Sequence, residues 1–109
     1  MVSVTKKYSN GRFSFVYSES GEEKGECFFS PQTAEILEIK EYSNLSFQER
    51  KTLILAVLNH LELSGKEKAV FRANEDNILL NDLGFILDKE NTYSVDLRGY
   101  FNNPPCLNK

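Results

Sequence analysis

The chain has 109 residues, 40% hydrophobic, 12% aromatic and 27% charged, with a formal net charge of −3. That is the size and composition of one soluble domain able to bury its own core. No apolar run approaches the roughly 20 residues that span a bilayer, and Lys6 with Lys7, or Lys66 with Lys68, are pairs rather than the basic patch that nucleic acid requires.

The first third reads as strands. In RFSFVY, Phe13, Phe15 and Tyr17 alternate with Arg12, Ser14 and Val16, the period of a half-buried strand. SESGEEKGE supplies two glycines among polar residues and predicts a hairpin connection, with CFFS as the returning strand. In TAEILEIKEY, Ile36 and Leu37 point to opposite faces, which predicts a strand covered on both sides. Val2 to Lys7 also admits a strand, outside this order.

A long helix follows. Ser46 and Glu49 form an S-x-x-E capping box, in which each side chain satisfies an orphan backbone N–H. Gly65 is the stop, since it takes the left-handed conformation at no steric cost. Between them Leu53, Ile54, Val57, Leu58 and Leu61 share one side at the 3.6-residue period, and Leu55 and Leu63 lie off that stripe. His60 sits at its margin and reads as a helix-edge histidine rather than a catalytic one.

In the last third KAVFRA is a short strand, and NEDNILLND a helix capped by Asn74 and stopped at Gly84. FIL and TYSVDL are strands about a DKEN turn, with Tyr93, Val95 and Leu97 facing one way. Phe28, Phe29 and Phe71 read as core, and Tyr100 with Phe101 as an interface or a lid over the sheet edge. The order is β-β-β-α-β-α-β-β, an α+β domain over residues 1–101 with a tail over 102–109.

Cys27 stands in an apolar strand and Cys106 in the Pro-rich tail, without a CxxC or any metal-ligand spacing. Both are expected reduced, and no metal is expected. MVSVTKKYSNGRF lacks the apolar core of a secretory signal, so the expected setting is the cytoplasm, with no membrane partner.

A strand, a capped helix, then strand, Asn, short helix, LGF and a closing hairpin resembles the C-terminal half of the GCN5-related N-acetyltransferase (GNAT) family. The resemblance covers about Phe13 to Tyr100, without the family's one or two helices after the first strand, and so implies a minimal member with an acetyltransferase-like sheet. It further implies acetyl-CoA as cofactor, lying where two central strands part, with its pyrophosphate on the N–H groups that begin the long helix. The positions matching the family's cofactor contacts are Ile39, Asn44, Phe47, Glu49 and Asn74. The family's two loop glycines fall on Phe47 and Glu49, and its proton-donating tyrosine on Leu80. Glu35, Glu38 and Glu41 are the carboxylates placed to act as a general base.

Two readings of function follow. One is an acyl-CoA-dependent N-acyltransferase with a degenerate pyrophosphate loop, acting on a small amine or a protein amine. The other is a non-catalytic relative that binds a protein or small ligand through its cleft or sheet edge, with a protein partner or a homodimer as the assembly.

Overall fold

The computed structural model describes residues 1–101; residues 102–109, with the expected tail and Cys106, lie outside the described residues. The elements are β1 (Val2–Ser9), β2 (Arg12–Glu19), β3 (Glu22–Ser30), β4 (Glu35–Glu41), α1 (Phe47–Leu63), β5 (Lys68–Phe71), α2 (Asn77–Asp82), β6 (Ile86–Leu87) and β7 (Tyr93–Asp96). They form one seven-stranded sheet in the order β1-β2-β3-β4-β5-β7-β6. Every neighbouring pair is antiparallel except β4 and β5.

This corrects the expected acetyltransferase-like fold and its order β-β-β-α-β-α-β-β. Four strands precede the first helix, and the described residues are strand-rich, 42% strand against 23% helix. The class α+β stands; the acetyltransferase-like assignment does not. The difference begins at Asn10 and Gly11, both at positive φ (55° and 75°), which form a two-residue hairpin turn between β1 and β2. That turn makes Val2–Ser9 a full eight-residue strand, with no helix between it and β2. The second connection is equally tight, Ser20–Gly21, so Glu22 to Glu26 belongs to β3 rather than to a long loop.

The helices pack on one face, and handedness explains why. Parallel strands β4 and β5 are joined through α1, and β5 and β6, both antiparallel to β7, are joined through α2. Two right-handed crossovers that step the same way across a sheet put both helices on the same side. One continuous core results, with Cys27, Phe29, Ile36, Ala69, Phe71 and Val95 from the sheet against the helices. From α1 it takes Leu53, Ile54, Val57, Leu58 and Leu61, the five residues of the sequence stripe, and from α2 Leu79 and Leu80. Leu55 packs at the margin of the core and Leu63 is exposed.

The expected two-sided cover of β4 is absent. Ile36 is fully buried, whereas Leu37 on the other face is 39% exposed. Phe28, expected in the core, lies on the helix-free face, with the Arg12 guanidinium 3.9 Å from its ring centroid. Ser14, Val16 and Glu26 on that face are nevertheless buried, and Tyr42 reaches over to Glu26.

The caps of α1 form as expected. Ser46 Oγ accepts from Glu49 N–H at 3.1 Å, Glu49 Oε1 accepts from Ser46 N–H at 2.9 Å, and Gly65 stops the chain at φ +87°. In α2 the cap is Asp76, whose Oδ1 accepts from Ile78 N–H at 2.8 Å; Asn74, the expected cap, is exposed two residues upstream. Gly84 at φ +94° ends that helix as expected. No helix among the described residues is long and apolar enough to cross a membrane.

Two outcomes test this packing. Val57→Asp puts an unpaired charge at a fully buried position and is expected to cost more than about 3 kcal/mol, while Asn59→Ala on the exposed side is expected to cost under about 0.5 kcal/mol. Chemical denaturation of both variants reads the difference, and equal midpoints would reassign the buried face.

His60 packs edge-on to the rings of Phe15 and Phe29 (centroids 6.0 and 5.4 Å), and burial, then the charge of Lys6, lowers its pKa. A lowered folded pKa means that the unfolded chain takes up the proton first. The His60 contribution is therefore complete above the ordinary histidine value of about 6.5 and is lost as pH falls below it. The melting temperature of the wild type is expected to fall between about pH 7 and pH 5, and that of His60→Leu to stay flatter over the same range.

Candidate functional site

The parallel pair β4 and β5 is joined over only two rungs, Glu35 with Val70 and Ile36 with Phe71. The last backbone bond across it is donated by Arg72 N–H to the Ile36 carbonyl at 2.7 Å. Beyond that point β4 runs on beside β3 alone, and the chain after β5 turns toward α2. The strands therefore part, and Leu37, Glu38 and Ile39 face Arg72, Ala73 and Asn74 across an opening. The N-terminus of α1 follows the far end of β4 through the 42–46 loop.

Gly25 on β3 allows that loop to seat. A Cβ at this position would come 2.4 Å from Leu45 Cδ1 and 3.1 Å from the Lys40 carbonyl oxygen, so only glycine leaves room for the buried Leu45.

Ion pairs gather at the start of α1. Arg50, in the first turn of α1, donates from Nε to Glu75 Oε2 at 3.0 Å and from Nη1 to Glu41 Oε2 at 3.2 Å. The same Nη1 donates to the Leu45 carbonyl at 2.7 Å. One guanidinium thus bridges the end of β4, the loop and the segment after β5. The Glu75 side chain is only 8% exposed, so this is a partly desolvated pair. Glu49 is held in the same way, by Ser46 N–H and by Lys24 Nζ at 3.0 Å. The Ser46 N–H bond, then Lys24, keeps its carboxyl below the ordinary pKa.

The positions expected from the family resemblance are only partly gathered. Glu38, Ile39 and Asn74 line the opening. Phe47 turns its ring against the core, and Asn44 is exposed in the loop. Each candidate base is paired with an arginine: Glu35 with Arg72 at 2.9 Å, Glu38 with Arg12 at 3.0 Å, and Glu41 with Arg50. Arg72, then Thr33, lowers the pKa of Glu35, the opposite of what a base for an amine requires. Leu80 is buried in the core. Among the described residues no group of three His, Cys, Asp or Glu side chains is placed to hold a metal.

Sequence reasoning missed Arg50, Glu75 and Lys24. Arg50 follows the capping-box glutamate directly, but its partners lie 9 and 25 residues away, and no local spacing encodes them. It also missed a buried polar cluster on the helix-free face. There Glu26, 3% exposed, accepts from Ser14 Oγ and from the Tyr42 hydroxyl at 2.5 Å. The hydrogen bond to Glu26, reinforced by burial, pushes the Tyr42 pKa up to about 12. Cys27 is a free thiol at full burial, and that burial, with the charge of Glu75, raises its pKa; it is structural rather than reactive.

Comparison with protein-family models, with curated proteins and with solved structures gives no match, so nothing beyond the sequence signals identifies the acetyltransferase family.

Removing one member of a desolvated pair leaves the other unsatisfied. Arg50→Met is expected to destabilise by about 2 kcal/mol, and Glu75→Gln in the same chain to recover about half of that. Urea denaturation of the two single variants and the double variant reads this coupling; strict additivity would show that the bridge carries no energy of its own.

Proposed function

We propose that this protein is a non-catalytic binding module that engages another protein through its sheet edge. The observation that carries the reading is the Arg50 bridge. The cation at the start of α1 is committed to Glu41 and Glu75, and the Glu49 carboxylate occupies the helix N-terminus with its own hydrogen bonds. A pyrophosphate there would meet the Glu49 carboxylate beside the first N–H groups of the helix, at a cost of about 1 kcal/mol per charge pair in water and several times that near protein. The helix dipole offsets only about 0.3–1 kcal/mol of it. The arginine-paired state of all three candidate bases supports the same reading. The cytoplasmic setting belongs to this proposal and is supported by the free thiol of Cys27.

The acyl-CoA-dependent N-acyltransferase is the second reading. It has one observation in its favour, the parting of β4 from β5.

Calorimetric titration with acetyl-CoA and with free CoA separates the two. The expected result is a Kd weaker than roughly 1 mM, less than about 4 kcal/mol of binding free energy. Micromolar binding would overturn the module reading. Phe47→Gly with Glu49→Gly, which opens the helix start while removing its cap, is expected to raise the affinity for CoA only if the opening between the strands is otherwise formed.

A further inference from the structure

The two edges of the sheet are unlike. β6 is two residues long, whereas β1 presents eight residues, nearly all exposed, with no strand on its outer side among the described residues. An edge of that length is a row of unpaired backbone groups, a template for one more strand. The hairpin determines which groups are free. Ser20 N–H donates to the Met1 carbonyl, and antiparallel pairs alternate, so Ser3, Thr5, Lys7 and Ser9 bond inward to β2. The N–H and C=O groups of Val2, Val4, Lys6 and Tyr8 therefore point outward.

The side chains of those same four residues lie on the helix side, in register with Glu19, Tyr17, Phe15 and Phe13. Val2 and Tyr8 are 51% and 63% exposed, and Val4 packs at the edge of the core. Charge selects the occupant. The chain as a whole carries −3, but β1, VSVTKKYS, has two lysines and no acid. Lys6 points to the helix side and Lys7 to the helix-free side, so both faces of an added strand meet a positive charge. A second copy of β1 fits poorly, because two-fold antiparallel pairing along the full strand gathers four lysines into its central rungs.

We propose that β1 binds an extended acidic segment of a partner protein by antiparallel strand addition. The segment carries two adjacent carboxylates opposite Lys7 and Lys6, and apolar residues opposite Tyr8, Val4 and Val2. The peptide SVEETVSV, read antiparallel to Ser9–Val2, has this pattern. The inference rests on the binding-module reading and names its surface and partner.

The test is fluorescence anisotropy of labelled SVEETVSV with the full chain at low salt. Saturable binding is expected, weakened about tenfold or more, the equivalent of about 1.4 kcal/mol, by Lys6→Glu with Lys7→Glu. The charge-swapped peptide SVKKTVSV should restore binding to that variant. Backbone N-methylation of the fourth and sixth peptide residues, which face Lys6 and Val4, should abolish binding, and methylation of the third and fifth should not. Circular dichroism confirms that the variant is folded.

Absence of binding to the folded wild type, or binding indifferent to the charge swap, overturns the inference: the lysines then serve only to keep the edge from pairing. A concentration-dependent dimer broken by Val4→Pro overturns it in favour of a second copy. Either failure is distinguishable from failure of the module reading, which only tight CoA binding would produce.

Discussion

Two crossovers that step the same way across the sheet commit this molecule to burying one face, since the general right-handed rule then puts both helices on one side, and most of its architecture follows from that constraint. Because α1 and α2 lie on one side, apolar residues of six of the seven strands converge on a single core, while Ile86 and Leu87 of β6 stay exposed. Among the described residues no helix covers the opposite face, which must satisfy itself. It does so with side chains that are apolar along the stem and polar at the tip. Arg12 lies over Phe28, Tyr42 reaches Glu26, and Val16 is buried beneath its neighbours although it belongs to no part of the main core. Glu26 is tolerable at 3% exposure because two hydroxyls donate to it, which replaces the water it has lost.

The same constraint sets the electrostatics of the β4–β5 opening. A parallel pair that separates after two rungs leaves backbone and side-chain groups to be satisfied at its open end, and Arg50 does this for three segments together. Such a bridge holds a geometry more than it stabilises one, since desolvation of Arg50 and Glu75 offsets much of their attraction. Its consequence for function is direct. The positive charge of Arg50 and Lys24, and the N–H groups of Ser46 and Glu49, are consumed within the chain. At the rim of the sheet β1 exposes backbone groups and carries two lysines and no acid, which is the surface the proposed partner would use.

Much of the local structure was legible in the residues. The capping box of Ser46 and Glu49, the Gly65 stop and the five-residue stripe of α1 are short-range features, and all appear as expected. The Asn10–Gly11 turn was equally readable, since Asn-Gly between alternating residues is a strong hairpin signal. Val2 to Lys7 already admitted a strand, and this turn is what pairs it with β2 and adds it to the element order. The error over Leu37 and Phe28 was of another kind. A run such as FF or IL is apolar on both faces of a strand, and only the placement of the helices decides which of the two residues is covered.

The sequence by itself determined where α1 begins and ends, which of its faces is buried and where α2 stops, because caps and hydrophobic period act over a few residues. Tertiary structure decided which face is open, which strand is an edge, and what Arg50, Glu75 and Lys24 do. Those outcomes depend on pairs separated by 25 residues and on the handedness of crossovers, and neither leaves a mark in any short window of sequence.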